Sequence, residues 1–253
     1  DKSWMWIMRN SSKDEVQDLY YYYSFLGQMV SEPTWAMAQY GGLFRCITNR
    51  LYSQMDANDW RRYCWVSEEA AGADKIPEGY RSNMTNEQWK TLPAYANLKF
   101  RSRSMTDNYE GRFADYPLMR MEEMIFIHAE AMAKLGNVAA AAGEITDFVN
   151  NHRQTQPTYQ CPANDLATFM ENMMVQKRIE FWGEGVVMWD YKRLRLAINR
   201  AYSGTNYLEN YRLRTKEGFV APWMNVRFPS EYETKTNPAA VGSPDPSQVV
   251  KAE

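Results

Sequence analysis

The chain has 253 residues, room for one large domain or two small ones, with 45% hydrophobic and 24% charged residues, which excludes a disordered or low-complexity segment. A formal net charge of −2 leaves no basic surplus for nucleic acid and no polybasic arm for a membrane surface. Nothing reads as a secretory leader, and no apolar run approaches the roughly 18 residues of a membrane span, so membrane attachment is expected only through an anchor outside this stretch.

Residues 1–10 read as the end of an element, with Trp4, Trp6 and Ile7 apolar. The run from Tyr20 to Phe25 has high β-propensity, although a helix fits it as well. Residues 29–42 form a loop candidate broken by Pro33, Gly41 and Gly42, and carry Trp35 and Tyr40. Phe44, Ile47, Leu51 and Tyr52 mark a short helix. Asp56, Asn58 and Asp59 open like a calcium loop, but Trp60 stands where a further oxygen ligand is needed and no glycine follows. A polar turn ahead of Arg61 is the expectation. Residues 66–108 lack periodicity and are punctuated by Gly72, Pro77, Gly79 and Pro93, which predicts a long loop excursion holding Tyr80 and Trp89. Residues 97–100 look like a short strand.

Two helix–turn–helix units follow. In the first, Met121, Met124, Ile125, His128, Ala131, Met132 and Leu135 recur at helical spacing. Gly136 suits a left-handed helix end, and Asn137 a helix start. Val138, Ala141, Ala142, Ile145, Phe148 and Val149 share the next face. In the second unit, Asn164 or Asp165 caps a helix with Leu166, Phe169, Met170, Met173, Met174 and Phe181 on one side. Gly183 and Gly185 interrupt it, and Val187, Tyr191, Leu194, Ile198 and Ala201 mark the next helix. The expectation is a mostly α fold: four helices between residues 121 and 201, in two tetratricopeptide-like antiparallel hairpins, with long irregular loops. Beyond residue 206 the proline-rich pattern predicts a tail that wraps over the helices.

These residues also carry a family resemblance. The run Tyr116-Pro117-Leu118-Met119-Arg120-Met121-Glu122-Glu123, then Ala129-Glu130-Ala131, resembles the SusD/RagB family of outer-membrane nutrient-binding lipoproteins. So do the run from Arg178 to Gly185, Asp190-Tyr191-Lys192-Arg193, the closing Phe228-Pro229-Ser230-Glu231 and Asn237-Pro238. Lys177 stands where the family often has Glu, and Val187 where many members have Arg. The resemblance covers the family's C-terminal portion. It implies one SusD-like domain over residues 1–253, with a loop-rich segment at 1–115, hairpins at 116–206 and a tail at 207–253. The N-terminal half, with its lipid anchor, is expected to be missing from this sequence. The resemblance further implies a non-catalytic protein on the extracellular face of an outer membrane, passing oligosaccharides to a SusC-like TonB-dependent transporter. An oligopeptide ligand within the same architecture, a helical-repeat adaptor and a glycosidase are the alternatives.

Little of the sequence offers chemistry. His128 and His152 lie 24 residues apart without a carboxylate at ligand spacing, and His128 falls on the apolar stripe, which reads as a core histidine. Cys46, Cys64 and Cys161 include no metal-binding pair of cysteines; three buried thiols are expected over a Cys46–Cys64 bridge. No cofactor or metal is implied. Glu180 and Glu184 are the one paired-carboxylate candidate, at a spacing of four on a helix. Gly183 breaks that helix, so the expectation is a structural charge network of Arg178, Glu180, Glu184, Asp190 and Arg193. The chain holds 9 Trp, 17 Tyr and 10 Phe, more rings than a helical core needs. Those in loop-like segments, Trp35, Tyr40, Trp65, Tyr80 and Trp89, are the candidates for stacking on a sugar.

Overall fold

Strand β1 (Trp4–Met8) pairs antiparallel with β2 (Tyr116–Arg120), and β2 runs without a loop into helix α3 (Met121–Lys134). The computed structural model describes residues 2–8, 29, 44–73, 75, 77, 86–100, 115–224, 233–237 and 249–251. Among the described residues, the short helices α1 (Asn49–Tyr52) and α2 (Asn86–Lys90) precede β2. Two long helices follow α3, namely α4 (Val138–His152) and α5 (Leu166–Glu180). The chain falls into two compact units, Asp1–Gly183 and Glu184–Glu253. The second unit holds helix α6 (Val186–Arg193) and a two-stranded antiparallel sheet, Leu213–Thr215 with Val249–Lys251.

The first predicted hairpin is present. Glu122 and Glu123 sit in the first turn of α3 and Lys134 in its last, each favourable to the helix dipole. Gly136, at φ +93°, turns the chain. Its N–H donates to Ala133 O and the Asn137 N–H to Met132 O, both at 3.0 Å, the paired bonds of a Schellman cap. Asn137 precedes α4 but makes no side-chain cap bond. Helix α4 buries Ala141, Ala142, Ile145, Phe148 and Val149, as its periodicity predicts. Phe126 of α3 meets Phe148 edge-on at 5.6 Å and Phe181 at 5.8 Å. Asp165 caps α5 by accepting the Thr168 N–H at 2.8 Å.

The buried face of α3 differs from the predicted one. It is Glu122, Phe126, Ala129, Glu130 and Ala133 that are buried, while Met121, Ile127 and Leu135 are exposed. The helix carries apolar residues on nearly every side, so period alone cannot choose a face. Packing selects the side with small Ala129 and Ala133, which permits close approach of a partner. His128 consequently points outward and meets the Glu144 carboxylate at 2.8 Å across the hairpin; it is not a core histidine. In the second pair, α5 and α6 both form, but the division at Gly183 falls between them.

The described residues between 66 and 100 include core positions rather than only the expected loop excursion. Val66, Ala70, Trp89, Leu92, Ala96 and Leu98 form a core cluster of their own. Ile47, Leu51, Tyr52, Met55 and Trp65 form a second cluster with Ile179 of α5. Where a strand is predicted at 97–100, only isolated bridges occur, Cys46 to Ala96 and Trp65 to Asn97. The three cysteines are free, and only Cys161 is fully buried. Burial pushes the Cys46 thiol up to about 11, which makes it a poor nucleophile at neutral pH.

Candidate functional site

Helix α5 ends on Glu180, whose side chain is 5% exposed. Three guanidinium groups from distant segments converge on it. Arg153, just past α4, forks onto both oxygens, with Nε 2.8 Å from Oε2 and Nη2 2.9 Å from Oε1. Arg61 reaches Oε2 at 3.3 Å and Arg120, the last residue of β2, reaches Oε1 at 3.2 Å. Two further carboxylates complete the group. Asp59 takes Arg61 side-on, at 3.0 Å to Nε and 2.6 Å to Nη2. Glu122 lies 3.0 Å from Arg153 and 3.1 Å from Arg120. Gln176 Oε1 accepts from Arg61 at 2.7 Å. Among the described residues, three guanidinium groups thus face three carboxylates, which balances their formal charges.

Electrostatics settle what Glu180 can do. Burial alone raises a carboxyl pKa, but the Arg153 hydrogen bonds and the charges of Arg153, Arg61 and Arg120 outweigh it and hold Glu180 far below the usual carboxylate range. An acid catalyst needs a raised pKa and a base needs an open lone pair. Glu180 has neither, being ionised and saturated with donors. Among the described residues, the arginines on the Glu180 carboxylate are Arg61, Arg120 and Arg153, which the sequence pattern does not group with it. Asp190 and Arg193 pair with each other at 2.6 Å on α6, in the other unit. Arg178 and Glu184 are half-buried. The cations on Glu180 come from 27, 60 and 119 residues away, which sequence spacing cannot reveal. One signal was local: Asp59 and Arg61 stand two apart, and the Asp59 carboxylate both caps the 3-10 helix Trp60–Cys64 and clamps Arg61. Those oxygens are committed to a guanidinium, as a polar turn requires.

The aromatic candidates divide. Trp89 is 0% exposed, with its indole N–H donating to Ala70 O at 3.1 Å, and Trp65 is 1% exposed against Trp182. A ring without an open face cannot stack on a sugar, so both are core residues and leave the candidate list. Trp35, Tyr40 and Tyr80 lie outside the described residues. Exposed rings occur instead at Trp60 and Tyr63 on the 3-10 helix and at Trp6 in the first unit, and at Trp189, Tyr211 and Trp223 in the second. Among the described residues no group of three or more His, Cys, Asp or Glu could hold a metal ion, and no helix is long and apolar enough to cross a membrane.

The family model described as the SusD family matches residues 30–246. Among solved structures, the chain is similar to a SusD-like carbohydrate binding protein from Bacteroides vulgatus, at 22% identity and a TM-score of 0.53 over 80% of this chain and 37% of that one. It is also similar to a SusD superfamily protein from Bacteroides thetaiotaomicron, at 22% identity and a TM-score of 0.54 over 78% of this chain and 39% of that one. The chain therefore spans under two fifths of the length of either protein, and the likeness shows the fold. No curated protein matches it.

Proposed function

Because the chain belongs to the SusD family, we propose that it binds oligosaccharides without altering them and passes them to a SusC-like TonB-dependent transporter. It works on the extracellular face of an outer membrane, held there by a lipid anchor. The observation that carries the non-catalytic half of this reading is the Glu180 cluster: of the one pair of carboxylates at a catalytic-looking spacing, Glu180 is ionised, buried and fully engaged by arginine. The name of the similar Bacteroides vulgatus protein, carbohydrate binding, supports the ligand class. A stacked ring with a few hydrogen bonds gives affinity of about micromolar to millimolar, weak enough for release to a transporter.

Calorimetric titration with oligosaccharides of varied linkage tests the binding, and chromatography of the same mixtures tests turnover. The expected result is saturable binding with no new reducing ends. Linear product formation that is lost in Glu180→Gln or Glu184→Gln overturns the reading, as does binding confined to peptides. Co-purification with a transporter of the SusC type from outer membranes tests the partner.

A further inference from the structure

The 3-10 helix Trp60–Cys64 has two contrasting sides. With about three residues per turn, positions three apart eclipse one another. Trp60 and Tyr63 therefore share one side, and they are 43% and 48% exposed. Arg61, between them, is turned into the core, where Asp59, Gln176 and Glu180 hold its guanidinium. The helix is thus fixed from within and aromatic without.

Trp60 is also oriented. Its indole N–H donates to His152 O at 3.0 Å, its backbone N–H to Arg153 O at 3.0 Å, and the Arg153 guanidinium lies 5.4 Å from its ring centroid. The ring is a half-exposed plate that loses little freedom on meeting a ligand. Beside it, residues 56–58 and 154–158 form a polar net. Gln154 Nε2 donates to Asp56 Oδ2, and Asn58 Nδ2 donates to Gln156 O and to Thr158 Oγ1. The Thr158 hydroxyl faces three acceptors, Asp56 Oδ2 at 3.5 Å and Asn58 Oδ1 and Gln154 Oε1 at 3.4 Å, but has one proton to give. No described residue bonds the second oxygen of Asp56. Gln154 Oε1 is already taken by the Thr158 and Tyr159 N–H groups, at 2.8 and 3.1 Å, so the spare acceptors of the net are on Asp56, which is exposed, and Asn58, which is half-buried.

We propose that Trp60 and Tyr63 form a stacking platform for a neutral oligosaccharide, with Asp56 and Asn58 accepting its hydroxyl protons. Sugar hydroxyls are the donors such a rim lacks, and the apolar face of a pyranose matches a fixed ring. A uronic acid brings a second carboxylate towards Asp56 and is disfavoured. This assignment rests on the glycan-binding reading and places its site.

The test titrates the protein with maltohexaose, cellohexaose, xylohexaose and mannohexaose, and with an oligogalacturonate, by calorimetry and tryptophan fluorescence. Trp60→Ala and Tyr63→Ala are each expected to weaken binding of a neutral hexasaccharide at least about tenfold at unchanged melting temperature. Asp56→Asn is expected to weaken it less. If Trp60→Ala melts early through loss of the His152 bond, Tyr63→Ala decides alone. Wild-type binding with both ring variants at full affinity overturns the platform and leaves the glycan reading standing. Binding of oligogalacturonate alone overturns the neutral-sugar assignment. No binding of any of the five overturns the glycan reading and the platform together.

Discussion

Replacing Glu180 by Gln keeps the side chain's volume and removes its charge. Three buried guanidinium groups then face two carboxylates, Asp59 and Glu122, and one cation is left uncompensated. Breaking one partner out of a buried ion cluster costs about 3–5 kcal/mol, because the stranded charge has already lost its water. For a domain of this size each kcal/mol lowers the melting midpoint by about 2–4 °C, so Glu180→Gln should melt roughly 6–20 °C lower. Circular dichroism melts, with urea titrations followed by tryptophan fluorescence, measure it. A double variant with Arg153→Met restores the balance at two charges of each sign. It should lose less than the two single variants added together, by about 0.5–3 kcal/mol. A loss under about 1 kcal/mol for Glu180→Gln, or strict additivity in the cycle, would refute the argument from charge balance.

Three further outcomes follow from the same geometry. The carboxyl of Glu180 titrates below its unfolded value of about 4.3, so its stabilisation is complete above that pH and is lost as pH falls towards the depressed native range. Melting temperatures of wild type and Glu180→Gln should therefore converge below about pH 4; parallel curves would contradict the assignment. Gly183→Ala places a side chain at φ +77° with its Cβ 2.8 Å from Phe100 Cε2 and 3.2 Å from Met29 Cε. Left-handed strain of about 1–2 kcal/mol and overpacking of about 1–3 kcal/mol predict a clear loss in a urea titration, and a neutral result would show that neither operates. Trp65→Ala and Trp89→Ala should each cost about 3–5 kcal/mol by leaving a cavity, with ligand affinity unchanged in the folded fraction; affinity lost at full stability would return them to the binding surface.

How much could be read from the sequence varies with the kind of contact. Helix α4 was legible because its large apolar residues, Ile145, Phe148 and Val149, fall on one side, and Asn164-Asp165 announced the start of α5 by residue type. Helix α3 was legible as a helix and misread as a surface, since Met121, Ile125 and Leu135 fit the period as well as Phe126, Ala129 and Ala133. The strand Tyr116–Arg120 was invisible because its partner lies more than a hundred residues away, at Trp4–Met8. Trp65 and Trp89 lie in aperiodic sequence, which signals surface, whereas irregular backbone here encloses two core clusters. Trp60 carried the opposite signal unnoticed. Its place between Asp59 and Arg61, both turned inward, is what directs its ring outward.

The charge-balanced cluster also bears on how the chain folds. Arg61 and Glu180 are separated by 119 residues, and Arg120 and Arg153 must arrive from segments between them. A partly assembled cluster would hold a desolvated charge without its partner, so these groups shed water only once all four segments are in place. The α3–α4 hairpin, with its short turn and local contacts, can form before them. If the cluster is completed after the folding barrier, it leaves the forward rate almost untouched and sets the escape rate instead. The arginine–carboxylate cluster is therefore expected to act as a latch: Glu180→Gln should speed unfolding in stopped-flow measurements and leave the refolding rate almost unchanged.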